Sequence, residues 1–381
     1  MDFELTEEQQ LIRETVRDFA EREIKPIAKE LDEKAEFSYE LTEKIGELGL
    51  FGMYLPEKYG GQGLDTLSYI IAVEEIARVD GSQAATLAAQ NSLGLGPLYY
   101  YGTEEQKQKY RPKLCTGKGL WGFGLTEPEA GSDSRGTKTK AKLENGQWNI
   151  TGSKIFITNG ASEISLGSTI QAVTGEKDGK KEFTTIIVEK GTPGFKTVSM
   201  HNKMMWRASD TAELYLDECK VPEENLLGKV GQGSKIMLST LDNGRLSIAA
   251  MGLGCAQGAF ELALQYSQER KQFGKPICKF QINAFKLADM ATKIELARNL
   301  LYKACWLKDN KKPFGKEAAM SKLYCSEIAK EVADEAVQLH GGYGLMKDYD
   351  VERFYRDQRL LQIGEGTSEI QRIVISRYIG C

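Results

Sequence analysis

The sequence predicts an α+β protein of 381 residues in which a helical region, a β region and a second helical region follow one another. Apolar residues recur at helical spacing up to about residue 115, and alternating, β-branched segments replace them from about residue 118. Helical spacing returns at Gly233 and continues to the end. We therefore expect three domains: 1–117, 118–230 and 231–381.

The N-terminal region opens with Thr6 and Gln9, the spacing of a capping box. A helical run follows and is expected to stop at Pro26, because proline cannot donate a backbone hydrogen bond. Further helices are predicted over 40–56, 67–79 and 104–115.

The middle region contains Asn145-Gly146 between two alternating segments, which indicates a β-hairpin. Trp148 and Ile150 fall on one face of its second strand. Strands also begin near Phe183 and Thr211, so a compact β barrel or sandwich is expected.

The C-terminal region carries a stripe of small and apolar residues from Leu246 to Leu264, which permits close helix packing. A second helix is predicted from Gln281 to about Ala304, and its apolar face is given by Phe285, Met290, Ile294 and Leu301. A third begins near Lys316 and ends at Gly341-Gly342. These helices predict a four-helix bundle.

The composition excludes several classes of protein. The formal net charge is −4 with both signs interspersed, so nucleic acid is not an expected partner. Seven cysteines without a CxxC pair fit reduced thiols in a bacterial cytoplasm. His201 and His340 are the two histidines, which disfavours a metal centre. No basic leader and no apolar stretch of membrane-spanning length is apparent, so a soluble protein is expected.

Several polar motifs are ambiguous when each is taken alone. WGFGLTEPEAGSD, from Trp121, could grip a polar heterocycle or form an ordinary tight turn. ITNG, from Ile157, could simply end a strand. Arg270 and Lys271 precede a Gly-Pro break and could bind an anion or face solvent. Glu365 lies between two glycines. Its carboxylate could be held on a bend for catalysis, or the residue could simply belong to a surface turn.

Together these motifs have a specific order. The stretches YLPEKYGGQG, FGLTEPEAGSD, ITGSKIFITNG, RASDTAEL, VPEENLLG, LDNGR, ERKQFGKPICKFQ, QLHGGYG and EGTSEIQR occur in the sequence in this order. In this respect the chain resembles the acyl-CoA dehydrogenase family of flavoproteins over essentially its whole length. The resemblance implies the same helix–β–helix fold, FAD as cofactor, an acyl-CoA substrate, an electron-transferring flavoprotein as electron acceptor, and a homotetramer.

The resemblance also implies the residues that bind FAD. The flavin ring is expected against two loops, at Phe123, Leu125, Thr126, Phe156 and Thr158. The pyrophosphate and adenosine are expected partly across a subunit interface, at Arg270, Gln272, Phe273, Gln338, Gly341, Gly342, Thr367 and Glu369.

By the same resemblance Glu365 is the catalytic base that removes the α proton of the thioester, and its backbone N–H helps to hold the thioester oxygen. Exclusion of water is expected to raise its pKa towards neutrality. Some family members carry the base directly before the LDxxR arginine, but that residue here is Gly244. The expected coenzyme A contacts are Ser132, Asp242 and Arg245.

The acyl group is the open question. Many straight-chain enzymes have tyrosine where this chain has Gly364, and the missing ring could admit a branched or cyclic acyl group beside the α carbon. Gly364 and Gly366 are both expected to contact the substrate. Asn91 is expected to border the acyl pocket, and its neutral amide cannot serve as a second base. We therefore predict desaturation of an alicyclic acyl-CoA such as cyclohexanecarboxyl-CoA, with a short straight or branched chain (butyryl type) as the alternative. Other hypotheses are an oxidase on the same fold, a scaffold without activity, and a nicotinamide dehydrogenase, the last disfavoured by the absence of a GxGxxG fingerprint.

Overall fold

The computed structural model describes residues 4–381. The N-terminal region is helical, as predicted. Its helices are α1 (Glu7–Phe19), α2 (Lys25–Lys34), α3 (Tyr39–Glu47), α4 (Thr66–Ala77), α5 (Gly81–Ala89), α6 (Gly96–Tyr101) and α7 (Glu104–Leu114). Two π-helical segments, Ala20–Ile24 and Gln90–Leu95, continue α1 and α5.

The start of α1 confirms the predicted cap, but two predicted helix ends are wrong. Thr6 and Gln9 each accept a hydrogen bond from the other's backbone N–H. Pro26 does not stop the chain, because it lies in the first turn of α2, where its missing N–H has no intrahelical partner to lose. The helix predicted over 40–56 ends at Glu47, before a glycine with φ of 71° at Gly49.

The middle region forms one eight-stranded sheet. Its strands are β1 (Leu120–Gly124), β2 (Lys140–Glu144), β3 (Gln147–Thr158), β4 (Ser165–Lys177), β5 (Lys180–Glu189), β6 (Phe195–Ser199), β7 (Thr211–Pro222) and β8 (Leu226–Leu227). The order is β6-β7-β3-β2-β4-β5-β8, and β1 pairs in parallel with β4. The predicted hairpin is confirmed: Asn145 and Gly146 have φ of 49° and 75° between antiparallel β2 and β3.

The C-terminal region contains the longest helices, with a short ribbon between the first two. The helices are α8 (Gly233–Glu269), α9 (Gln281–Asp309), α10 (Gly315–His340), α11 (Val351–Leu361) and α12 (Ser368–Tyr378), and the ribbon pairs β9 (Lys271–Gln272) with β10 (Lys275–Pro276). Phe285 is a correction to the predicted apolar face of α9, because it is 56% exposed whereas Met290, Ile294 and Leu301 are buried.

Helix α8 lies at the centre of the helical core, where small residues allow close approach. A Cβ added at Gly254 would lie 2.3 Å from the carbonyl oxygen of Glu74 on α4. A Cβ at Gly252 would lie 2.8 Å from the carbonyl oxygen of Cys325 on α10. Within residues 4–381, α8 is long and apolar enough to span a membrane, contrary to the expectation from sequence, but 78% of its most apolar window is buried inside the fold. Its apolar surface is therefore used for packing.

Candidate active site

Glu365 lies on the turn between α11 and α12 in an unusual backbone conformation. Its φ is 52° and that of Gly366 is 94°, both in the left-handed region. The turn therefore requires the second glycine, whereas Gly364 has no positive φ. The Oε2 atom of Glu365 is buried and has no hydrogen-bond partner within residues 4–381. Burial raises the pKa of this carboxyl group to about 7.

Gly244 on α8 makes room for this carboxylate. A Cβ at position 244 would lie 1.7 Å from Oε2 of Glu365, far inside the van der Waals distance. The two positions at which the family resemblance places a catalytic base are therefore adjacent in space, and only one can carry a side chain here.

Two cations face the carboxylate of Glu365. Lys322 on α10 donates from Nζ to the carbonyl oxygen of Gly366 at 2.8 Å. Arg245 on α8 pairs with Asp242, and its Nε atom is buried without a hydrogen-bond partner within residues 4–381. Both cations oppose the effect of burial on the pKa of Glu365. The carboxylate thus has one buried oxygen and positive charge nearby, although Glu365 as a whole is half-buried.

The two loops predicted to hold a flavin ring lie together. The backbone N–H of Ile155 donates to the carbonyl oxygen of Thr126 at 3.0 Å. Phe123 and Leu125 are buried against Met237 of α8, whereas Phe156 has φ of 63° and is 63% exposed. An aromatic ring and several loop backbone groups are therefore available on one surface.

A buried ion pair fixes the loop that follows β1. Lys154 Nζ donates to Glu127 Oε1 at 2.7 Å, and both side chains are buried. The carboxylate also accepts from the backbone N–H groups of Lys138 and Thr139 at 2.6 and 3.1 Å. Glu127 therefore links this loop to the start of β2 and to β3. Ser132 lies exposed on the same loop, and Thr158 is half-buried at the end of β3.

The residues predicted to bind the far end of the cofactor form a second, exposed group. Phe273 at the tip of the β9–β10 ribbon is 93% exposed, and Gln272 beside it is exposed. Arg270 lies with its guanidinium carbon 5.6 Å from the ring centre of Tyr343, which directly follows Gly341 and Gly342 at the end of α10. The exposed Gln338 is on the last turn of that helix.

Thr367 and Glu369 begin α12. The Thr367 hydroxyl accepts from the N–H of Ile370 at 3.3 Å and so caps the helix, while Glu369 is exposed. The ribbon and the end of α10 therefore lie close together. Glu365 and the flavin loop of Phe123 and Leu125 instead lie against α8, near Gly244 and Met237 respectively.

The environment of Asn91 differs from the acyl-pocket position predicted from the sequence. Its side chain is fully buried, its Oδ1 accepts from the N–H of Gly52 at 2.7 Å, and its Nδ2 donates to the carbonyl oxygens of Leu50 and Leu87 at 2.9 and 3.2 Å. Every donor of the amide is used within the fold. Asn91 therefore anchors the 50–52 segment and has no free group for a substrate.

Family models match the chain along nearly its whole length. The N-terminal, middle and C-terminal domains of acyl-CoA dehydrogenase match residues 6–118, 122–219 and 231–380. The chain belongs to the acyl-CoA dehydrogenase family. It is a flavin-dependent oxidoreductase whose cofactor is FAD, and the fold class predicted from the sequence is confirmed.

Individual relatives agree over their full lengths. The short-chain specific acyl-CoA dehydrogenase of Clostridium acetobutylicum is 48% identical, and the match covers 99% of both chains. The structure of butyryl-CoA dehydrogenase from Megasphaera elsdenii has a TM-score of 0.96 at 45% identity, with 100% of both chains covered. A chain solved in work on the electron transferring flavoprotein of Acidaminococcus fermentans has a TM-score of 0.96 at 47% identity, also over 100% of both chains.

The side chains of this acyl-CoA dehydrogenase fit FAD. The exposed Phe156 ring provides a surface on which a flat heterocycle can stack. Arg270 makes no ion pair with any residue in 4–381, so its charge is free for a pyrophosphate. FAD would be held at one end by the flavin loops and at the other end by the ribbon and the α10 end, partly those of a neighbouring subunit.

Sequence motifs missed one buried charged side chain near Glu365. Lys322 is a lysine on the buried face of α10, at helical spacing from the buried Ala318, Ala319, Cys325 and Ser326. A charged residue on an otherwise small and apolar stripe is unusual, because burying an ammonium group is costly. That pattern was visible in the sequence and could have identified the residue.

Proposed function

We propose that the enzyme desaturates a short-chain acyl-CoA of the butyryl type between its α and β carbons, with Glu365 as the base. The observation that carries this proposal is the buried, unpartnered Oε2 of Glu365 beside Gly244 of α8, the helix that also packs against the flavin loops through Met237. An unpaired carboxylate is costly in a dry site unless a ligand uses it. Its pKa of about 7 suits a general base near neutral pH.

The chemistry of the base follows from its surroundings. Glu365 takes the proton from the α carbon while hydride leaves the β carbon, so that a double bond forms between the two carbons. FAD, when bound, supplies the hydride acceptor. The backbone N–H of Glu365 has no hydrogen-bond acceptor within residues 4–381 and can donate to the thioester oxygen, where negative charge develops. Arg245 adds positive charge on the α8 side, and with Asp242 and Ser132 we assign it to coenzyme A.

The relatives favour the butyryl alternative over the alicyclic substrate that we predicted from the sequence. One is described as short-chain specific and another as butyryl-CoA dehydrogenase. A Cβ at Gly364 would lie 2.9 Å from Cδ2 of Leu360, so a side chain at this position would require that leucine to shift.

The same proposal includes a partner and an assembly. An electron-transferring flavoprotein as electron acceptor is supported by the structural relative from work on such a protein. The proposal also includes a homotetramer in the bacterial cytoplasm. The exposed ring of Phe273 on the ribbon, at 93%, is available for a contact between subunits.

Anaerobic titration with butyryl-, isobutyryl- and cyclohexanecarboxyl-CoA tests the substrate. We expect butyryl-CoA to bleach the flavin absorbance most rapidly. Faster bleaching by cyclohexanecarboxyl-CoA would restore the alicyclic assignment. Rapid oxygen consumption during turnover would instead identify an oxidase.

The variant Glu365→Gln tests the base. It should retain FAD and lose bleaching by about 10²- to 10⁴-fold, the usual contribution of a general base. Glu331→Gln, which changes an exposed carboxylate on α10, is the matched control and should bleach like the unaltered enzyme. Undiminished bleaching by Glu365→Gln would remove Glu365 from this role.

A further inference from the structure

Lys322 is a fully buried lysine that no motif of the family resemblance includes. Its exposed fraction is 0%, and it makes no ion pair within 4.0 Å among the described residues. A buried ammonium group normally requires a close carboxylate or several acceptors. Burying Lys322 therefore costs free energy, and the packing of α10 does not explain why a lysine occupies this position.

The hydrogen bond of Lys322 is directed at the turn that carries the base. Nζ donates to the carbonyl oxygen of Gly366 at 2.8 Å. Gln371 on α12 donates to the same oxygen at 2.9 Å, and to the carbonyl oxygen of Glu365 at 3.3 Å. Two donors from different helices therefore hold a turn of two consecutive residues with positive φ.

The electrostatic environment also connects Lys322 to Glu365. Among charged groups, Glu365 has the largest effect on Lys322, ahead of Arg245, Glu327 and Glu369. Burial lowers the pKa of Lys322 to about 8, so the ammonium form predominates at neutral pH. Conversely, Lys322 has the largest effect of any charged group on the pKa of Glu365, and it lowers that pKa against the effect of burial.

We propose that Lys322 is a positioning residue for the catalytic base: its ammonium group holds the Gly366 carbonyl and gives the Glu365 carboxylate a fixed positive neighbour. The inference rests on the proposed role of Glu365 as the base. Lys322 itself contacts neither of the reacting carbons in this role; it acts through the geometry and the charge of residue 365.

The groups that face Glu365 set the direction of the expected effect. Lys322 approaches from α10 and Arg245 from α8, and the buried phenol of Tyr69 on α4 is also within electrostatic range. A nearby cation favours the ionised carboxylate, so its removal must raise the pKa of Glu365. Because Arg245 remains, we expect an upward shift of about one pH unit, which is about a tenfold loss of ionised base at a fixed acidic pH.

The experiment compares Lys322→Met and Lys322→Arg in the FAD-loaded enzyme, with Lys330→Met as control. Lys330 is an exposed lysine on the same helix. Infrared difference spectroscopy follows the carbonyl stretch of the protonated Glu365 carboxyl group as pH is varied without substrate, and the band is assigned by its loss in Glu365→Gln. Stopped-flow bleaching by butyryl-CoA is measured over the same pH range.

The expected result is an upward shift of both titrations in Lys322→Met, little shift in Lys322→Arg, and none in Lys330→Met. Unchanged infrared titration in Lys322→Met would overturn the proposal, even with a reduced rate, because a purely structural role would lower the rate without moving the titration. If the methionine variant does not fold, Lys322→Gln, which retains an N–H donor without the charge, is compared with Lys322→Arg in its place. The infrared measurement needs no turnover. Failure of the proposed function, seen as an unaltered enzyme that no acyl-CoA bleaches, is therefore distinguishable from failure of this inference.

Discussion

Glu365 holds a backbone conformation that is unfavourable for its residue type. The left-handed backbone conformation costs a residue with a Cβ about 1–2 kcal/mol of free energy, whereas it costs glycine almost nothing. The fold supports the conformation through Gly366, whose φ is also positive, and through the hydrogen bonds that reach the turn from Lys322 and Gln371. This strain coincides with an unpaired N–H and an unpaired carboxylate oxygen on one residue, which is typical of a functional site.

The variant Gly244→Ala tests whether the space beside the base is essential. Its new Cβ would meet Oε2 of Glu365 at 1.7 Å, so the carboxylate must move. We expect flavin bleaching by butyryl-CoA to fall by about 10²-fold, because a displacement of about 1 Å has that effect on positioned groups. FAD content, measured from the visible spectrum, should remain near that of the unaltered enzyme.

Gly175→Ala is the matched control for Gly244→Ala. Its Cβ would approach only a glutamate side-chain oxygen at 3.4 Å, an ordinary contact, and bleaching should be unchanged. Full activity in Gly244→Ala would show that the carboxylate has another productive position.

The pH dependence of bleaching follows from the pKa of Glu365. Burial disfavours the ionised form and raises this pKa to about 7, so the base is protonated and inactive below that pH. The second-order rate constant for bleaching, measured at low butyryl-CoA concentration so that it reports the free enzyme, should rise about tenfold per pH unit below about pH 7 and level off above it. Stopped-flow measurements check this. A profile that is already level near pH 5, where an ordinary glutamate is ionised, would contradict it.

At the scale of elements, the π-helical segment Gln90–Leu95 positions buried amides rather than substrate contacts. Asn91 ties it to the 50–52 segment, and Gln90 Nε2 donates to the carbonyl oxygens of Leu114 and Gly119 at 2.9 and 3.1 Å. The segment therefore joins two connections of the N-terminal region to the end of α5.

The variant Asn91→Asp is expected to destabilise the enzyme without changing its substrate. It replaces the donor Nδ2 with an acceptor, which removes the Nδ2 hydrogen bond to the carbonyl oxygen of Leu50 and buries a carboxyl group. The Leu87 carbonyl oxygen loses the same donor but still accepts from the backbone N–H of Gln90. The cost should be about 2–4 kcal/mol, seen as a lower Tm. Asn299→Asp, on the exposed face of α9, is the control and should leave Tm nearly unchanged. An unchanged Tm together with new activity on cyclohexanecarboxyl-CoA would return Asn91 to the acyl pocket.

Local patterns predicted much of the fold but not the directions of individual side chains. The Asn145-Gly146 hairpin and the cap at Thr6 depend on neighbours in sequence, and both are confirmed. Pro26 was misread because it lies in the first turn of α2, directly after a π-helical segment, where its missing N–H costs no intrahelical hydrogen bond. For Asn91, two of the three hydrogen-bond partners, Gly52 and Leu50, lie 39 and 41 residues away in sequence, where no periodicity can specify them.

The candidate site follows the same rule. Glu365 and Gly244 were identified from motifs, whereas their proximity, which leaves no room for a Cβ at 244, depends on how α8 packs against the 365 turn. Lys322 carried a sequence signal, a charge on a buried stripe, but its partner Gly366 is 44 residues away. Motifs supply the groups of a site, and tertiary packing decides which of them touch.

At the scale of the whole molecule, the C-terminal helices leave large apolar side chains in contact with solvent. On α9, Ile282, Phe285 and Leu296 are 64%, 56% and 57% exposed, and Phe273 precedes them at the tip of the ribbon. Such a surface is usually covered by another subunit. It supports the proposed oligomer, in which the ribbon completes the FAD site of a neighbour.

The double variant Phe285→Asp/Leu296→Asp tests the assembly. Two charges on this face should dissociate the oligomer, which light scattering coupled to size exclusion would detect as a smaller mass. FAD binding should weaken by about tenfold or more, because each site loses the contacts of the neighbouring ribbon. Leu11→Asp, at a leucine that is 63% exposed on α1, is the control and should keep mass and FAD. A dissociated protein that retains FAD would separate assembly from cofactor binding.

The competition of positions 244 and 365 for one volume restricts how enzymes of this design can diverge. An enzyme that evolved a catalytic base at position 244 on α8 could not acquire that acid first and lose Glu365 afterwards. A protein carrying both side chains would be overpacked at its active site. Such a lineage would have to lose Glu365 first and pass through an inactive intermediate, or replace both residues at the same time.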